Sequence, residues 1–183
     1  MRTIVLSSSL IAFSIACGYA KLVLFPYLFF VELFTVAVFV SGMLAGPGWG
    51  LWIGATARLL FSLANPYGPP HPWVLVAQVA AAAIVGALGG LTGAPLLLAE
   101  ESAPAFRARA VVLGALGLAA TLIYDGLTNA AQAVAFRSLE LSIALGIVPA
   151  IQHAASNIVL FALLGTFALP WLRKHPVVAR LAR

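Results

Sequence analysis

Apolar runs broken by proline, glycine or charge lay out the plan of this chain. The first runs from about residue 3 to 25 and stops at Pro26, and the second, 28–45, stops at Gly46-Pro47-Gly48-Trp49-Gly50. A third covers 49–63, a fourth 73–98 and a fifth 110–135. From 141 to 172 the run is 32 residues, too long for one crossing of about 20. Proline is tolerated in the first turn of a helix and damaging inside one, so Pro149 predicts a short surface helix over 138–146 and a sixth span over 147–171. These runs are continuous rather than alternating, which points to helices and not to the strands of a membrane barrel. The expected fold is an all-α membrane protein in which residues 1–183 form a single domain, six transmembrane helices in a compact bundle.

Composition agrees with the pattern: 63% of residues are hydrophobic, 8% are charged and the mean hydropathy is +1.07. A soluble domain carries about 25% charged residues, so this chain cannot cover itself with a surface that water accepts. The net charge of +5 does not signal nucleic acid, because the basic residues are scattered or sit at span ends. Six spans put both termini on one side, with Arg2, Arg107, Arg109, Arg173, Lys174, Arg180 and Arg183, against Lys21 and Arg137 on the other. The positive-inside rule then makes the termini cytoplasmic in a bacterial or archaeal cell membrane. Cys17 stands alone, which rules out an intramolecular disulfide and a multi-cysteine metal site. Residues 1–18 have the outline of a lipoprotein signal. However, Ser14 stands where a branched apolar residue is required and more membrane-type sequence follows, so no cleavage is expected.

One connection stands out. Residues 65–72, Asn-Pro-Tyr-Gly-Pro-Pro-His-Pro, hold four prolines, which forbid a helix and stiffen the loop. It carries Asn65, Tyr67 and His71 and leads into Trp73, so it reads as the lid of a pocket facing outward, with a plain turn between spans as the alternative. The aromatic groups Tyr67, Trp73, Phe29 and Phe30 suggest stacking on a flat ring.

Ionisable groups inside spans are expensive and normally face the bundle interior, so each is a candidate for function. They are Glu32, Arg58, Asp125 and His153, joined by the amides Gln78, Asn129, Gln152 and Asn157 in the outer or middle zone. Asp125, Asn129 and Gln132 line one face of span 5 at i, i+4, i+7, and His153 with Asn157 does the same on span 6. Together they describe a polar cavity opening outward beneath the proline loop, above a cytoplasmic half that is almost purely apolar. That is the plan of a receptor for a small molecule rather than a channel. Internal pairing of Glu32 with Arg58 and of Asp125 with His153 is the structural alternative. Catalysis is not expected, since there is no nucleophile motif, no His-Glu metal motif and no glycine-rich phosphate loop, and no metal or cofactor is implied. On span 1, Ser8, Ala12, Ala16 and Ala20 recur every fourth position and form a face that another helix can approach closely.

Several of these motifs carry a family resemblance. They are Phe-Val-Glu-Leu-Phe-Thr leading to Ser-Gly-Met-Leu-Ala-Gly-Pro-Gly-Trp-Gly, the loop Asn-Pro-Tyr-Gly-Pro-Pro-His-Pro, and Tyr-Asp-Gly-Leu-Thr-Asn in span 5. With six spans and small residues every fourth position in span 1, the chain resembles the substrate-binding S components of energy-coupling factor (ECF) transporters. The resemblance implies a membrane-embedded receptor that takes a vitamin-like molecule from outside, through the outward loops and the outer ends of the later spans. It also implies docking on a transmembrane coupling (T) subunit that carries two ATPase subunits, with Ala12, Ala16 and Ala20 matching the family's alanine motif at that contact. A B-type vitamin or heteroaromatic precursor is the leading ligand class, with cobalamin, ligated through His71 or His153, as another. The alternative from a different class is a structural scaffold of the bacterial envelope, similar in size and span count to the rod-shape protein of the elongation machinery.

Overall fold

The computed structural model describes residues 2–24, 31–98 and 102–174, all in helices or short connections. The expectations placed on Phe29, Phe30, Arg180 and Arg183 lie outside them. The elements are α1 (Arg2–Leu24), α2 (Leu33–Ala45), α3 (Pro47–Leu63), α4 (Pro72–Leu98), α5 (Ala103–Phe136), α6 (Leu139–Leu163), a π-helical turn (Leu164–Ala168) and α7 (Leu169–Lys174). Four helices are long and apolar enough to cross a membrane, over Ile4–Leu24, Pro72–Leu97, Phe106–Phe136 and Leu139–Leu163. The other two are shorter, α2 with 13 residues and α3 with 17. At about 1.5 Å per residue they extend roughly 20 and 26 Å, against about 30 Å of hydrocarbon.

Helices α2, α3 and α4 meet at their backbones. A Cβ added at Gly42, Gly50 or Gly54 would collide with the Gly86 or Ala82 carbonyl of α4, and one at Gly89 would collide with the Phe39 carbonyl of α2. Lipid tails are as apolar as leucine, so helices in a membrane gain little from burying apolar side chains and much from close approach, which small residues permit. The outside of the bundle is apolar on every helix, as lipid requires. Its four tryptophans are all exposed and sit near the ends of helices, Trp73 at one end of the bundle and Trp49, Trp52 and Trp171 at the other, the arrangement of interfacial belts.

The separate surface helix expected over 138–146 does not form. Ser138 accepts a hydrogen bond from the Leu141 amide at 3.1 Å and starts α6, which runs unbroken through Pro149. Helical backbone then continues through the π turn into α7. Packing on α5 holds the segment before the proline: Ser142 Oγ donates to the Asn129 carbonyl at 2.7 Å, and Gly146 lies against the Asn129 side chain. Helix α5 starts at Ala103, seven residues before the fifth apolar run at 110–135.

A polar cavity at one end of the bundle

Helices α5 and α6 pack antiparallel, and each lends the same periodic face to one cavity. From α5 come Asp125, Thr128, Asn129 and Gln132, at i, i+3, i+4 and i+7; from α6 come Gly146, Pro149, Ala150 and His153, at the same spacing. Glu32 just before α2, Arg58 on α3, Gln78 on α4, and Tyr124 and Leu145 complete a cavity of about 250 Å³. These positions lie toward the helix ends nearest the 64–71 and 137–138 connections, His153 being the deepest on α6. Gly146 is required here, because a Cβ would stand 2.6 Å from Asn129 Oδ1. Pro149 has no amide hydrogen, so the Leu145 carbonyl, one turn back on the cavity wall, loses its usual helical donor.

The charges are arranged unevenly. His153 bridges two carboxylates, with Nδ1 3.4 Å from both oxygens of Asp125 and Nε2 3.9 Å from Glu32 Oε1. Glu32 also forms a close ion pair with Lys21 of α1. Of the two pairs that sequence offered as the structural alternative, Asp125 with His153 is present, whereas the partner of Glu32 is Lys21 and not Arg58. The Arg58 guanidinium lies instead among three rings, 5.4 Å from the centre of Phe34, 5.6 Å from Phe61 and 5.1 Å from Tyr124. Arg58 Nε and Tyr124 Oη are buried and make no hydrogen bond, and Asp125 Oδ2 accepts none beyond its approach to His153.

Below Asp125 the polar seam closes. One turn further along both helices, Asn157 Nδ2 donates to Thr121 Oγ1 at 2.8 Å, and both residues are buried. Beneath them Phe39 and Phe161 meet at 4.9 Å between ring centres, within a core that includes Leu113 and Leu169. The cavity is therefore a pit closed below by this buried amide–hydroxyl contact and the apolar core beneath it.

Of the residues singled out from sequence, Glu32, Arg58, Gln78, Asp125, Asn129 and His153 line this pit together. Asn157 does not, being spent on Thr121. Nor do the loop residues: Asn65 Oδ1 accepts from the Tyr67 amide at 2.9 Å, His71 Nδ1 from the Trp73 amide at 3.4 Å, and Tyr67 is 82% and Trp73 59% exposed. These two aromatics stand outside the bundle at its end, where interfacial rings sit. Ala12 and Ala16 are exposed and Ala20 half-exposed, while the opposite face of α1, with Ser7, Leu10, Ser14 and Gly18, is buried. Tyr124, Thr128, Gly146 and Pro149 had not been read as site residues. Thr128 was within reach of the i+3 phase of the α5 face, and Tyr124 adjoins Asp125. Comparison with known proteins gives no match to any family model, curated protein or solved structure.

Proposed function

We propose that this protein is the substrate-binding subunit of an ECF-type uptake transporter, with six spans and cytoplasmic termini, capturing a small molecule from outside and handing it inward. The observation that carries this reading is the pit itself: a cluster of charged and amide side chains gathered within a largely apolar helical bundle, open at one end and floored by the Asn157–Thr121 contact and the Phe39–Phe161 core. Polar groups are costly in such a setting and are retained where they serve a site. A floor without a polar path suits binding rather than conduction. The face with Ser8, Ala12 and Ala16 exposed and Ala20 half-exposed supports a partner helix. The chain has no nucleotide-binding motif, which fits energy supplied by separate ATPases.

A volume of about 250 Å³ lies below the ~300–1,000 Å³ of ordinary drug-sized sites and is too small to enclose a corrin macrocycle, so cobalamin is not the proposed ligand. The test is purification in mild detergent followed by mass spectrometry of a denatured extract. We expect a small molecule retained close to one per chain. An empty extract, from protein that also gains no thermal stability from a concentrate of growth medium, would favour an envelope scaffold.

A further inference from the structure

Resting on the receptor reading, we propose that Arg58 is an anion anchor and that the ligand is a small carboxylate bearing a hydrogen-bond donor at its far end. The two carboxylates of the pit already have basic partners, Lys21 for Glu32 and His153 for Asp125. Arg58 has none: among the described residues no carboxylate lies within 4.0 Å of it. A cation held inside an apolar bundle without a counter-ion is unfavourable. Ring faces offset part of that cost, but they leave the guanidinium donors unused. Arg58 Nε is buried with no acceptor, and Tyr124, whose ring lies against the same guanidinium, has a buried hydroxyl with no partner. The side-chain oxygen of Gln78 is occupied by the Ser62 hydroxyl at 3.1 Å, which leaves its amide hydrogens as the free function. This wall of the pit therefore presents donors around a fixed positive charge, and a planar carboxylate matches the guanidinium fork with two parallel hydrogen bonds.

The α5–α6 wall has the opposite character. Asp125 Oδ2 is an acceptor without a hydrogen-bond donor of its own, and the Leu145 carbonyl lacks the amide donor that any residue other than proline would supply at 149. They suit an amide, ureide, amine or hydroxyl donor on the end of the ligand away from its carboxylate. Among the described residues the rings lining the pit are Tyr124, already engaged by Arg58, and His153, held between Asp125 and Glu32. The charged and hydrogen-bonding groups of these two walls are what the proposal rests on.

The experiment treats the molecule extracted from the wild-type protein with a carboxyl-selective esterifying reagent and reads its mass again. It then titrates the underivatised molecule onto the emptied wild-type, Arg58→Gln and Arg58→Lys proteins. We expect the ester mass shift and binding to Arg58→Gln about 10- to 150-fold weaker, with Arg58→Lys in between, because it keeps the charge and loses the fork. A retained molecule with no carboxylate, or unchanged affinity in a folded Arg58→Gln protein, would overturn the anchor and leave the receptor reading standing. No retained molecule, from protein that also gains no thermal stability from a concentrate of growth medium, would overturn both. The mass shift is read on wild-type protein, so it decides the ligand class even if Arg58→Gln does not fold.

Discussion

His153 and Asn157 stand one turn apart on α6 and look alike in sequence, each a polar residue on a face that also meets α5. The structure separates them. His153 joins two carboxylates at the pit, whereas Asn157 is 2% exposed and donates to Thr121 beneath it. Periodicity fixes which face of a helix a residue occupies. It does not fix how deep the facing helix stays polar, and that depth depends here on Thr121, which reads from sequence as one more small residue of span 5. Asn157→Ala removes a buried hydrogen bond and leaves the Thr121 hydroxyl, which still donates to the Gly117 carbonyl, without its donor, a change worth about 1–3 kcal/mol. We expect thermal unfolding in detergent to shift down by that amount while affinity for the retained molecule stays nearly constant. A large loss of affinity with stability intact would place Asn157 among the ligand contacts.

At the level of elements, sequence placed Asp125, Asn129 and Gln132 on one face of span 5 because they keep helical phase over two turns, and that face is a wall of the pit. Sequence misread the start of α6 because a proline rule was applied without knowing what lay opposite. Ser142 and Gly146 are clamped to Asn129, and such tertiary contacts hold the helix through the lost hydrogen bond at Pro149. The loop at 65–72 misled in another way: its prolines do stiffen it, but Asn65 and His71 satisfy the loop's own amides. Pro149 then gives an element-scale prediction. Pro149→Ala returns an amide donor to the Leu145 carbonyl, so stability should rise, by up to about 3 kcal/mol, while the ligand loses an acceptor and binds more weakly. Melting and titration on the same preparation check both. A variant that melts lower would show that the proline ring's packing outweighs the missing hydrogen bond.

For the whole molecule, the question is why one helix turns a stripe of small residues outward. Helix α1 turns Ser7, Leu10, Ser14 and Gly18 inward, with Ser14 Oγ 3.4 Å from Ser41 Oγ and Gly18 against Phe34 and Phe61. Ser8, Ala12 and Ala16 face out, Ser8 beside Trp49 and Trp52 of α3 and the two alanines exposed. In lipid, a stripe of small residues matters only where another helix comes close, since side chains facing acyl chains are free to be large. On the proposed reading that helix belongs to the coupling subunit. Ala16→Leu should therefore leave melting temperature and ligand affinity unchanged, because the added atoms project away from the core. It should abolish co-purification of the coupling subunit and its ATPases from the native membrane, along with uptake of the retained molecule. Lost affinity would mean that the stripe packs within the chain after all, and undiminished co-purification would move the docking surface off α1. The pit and the stripe lie on different faces, so one variant on each separates capture of the ligand from its delivery.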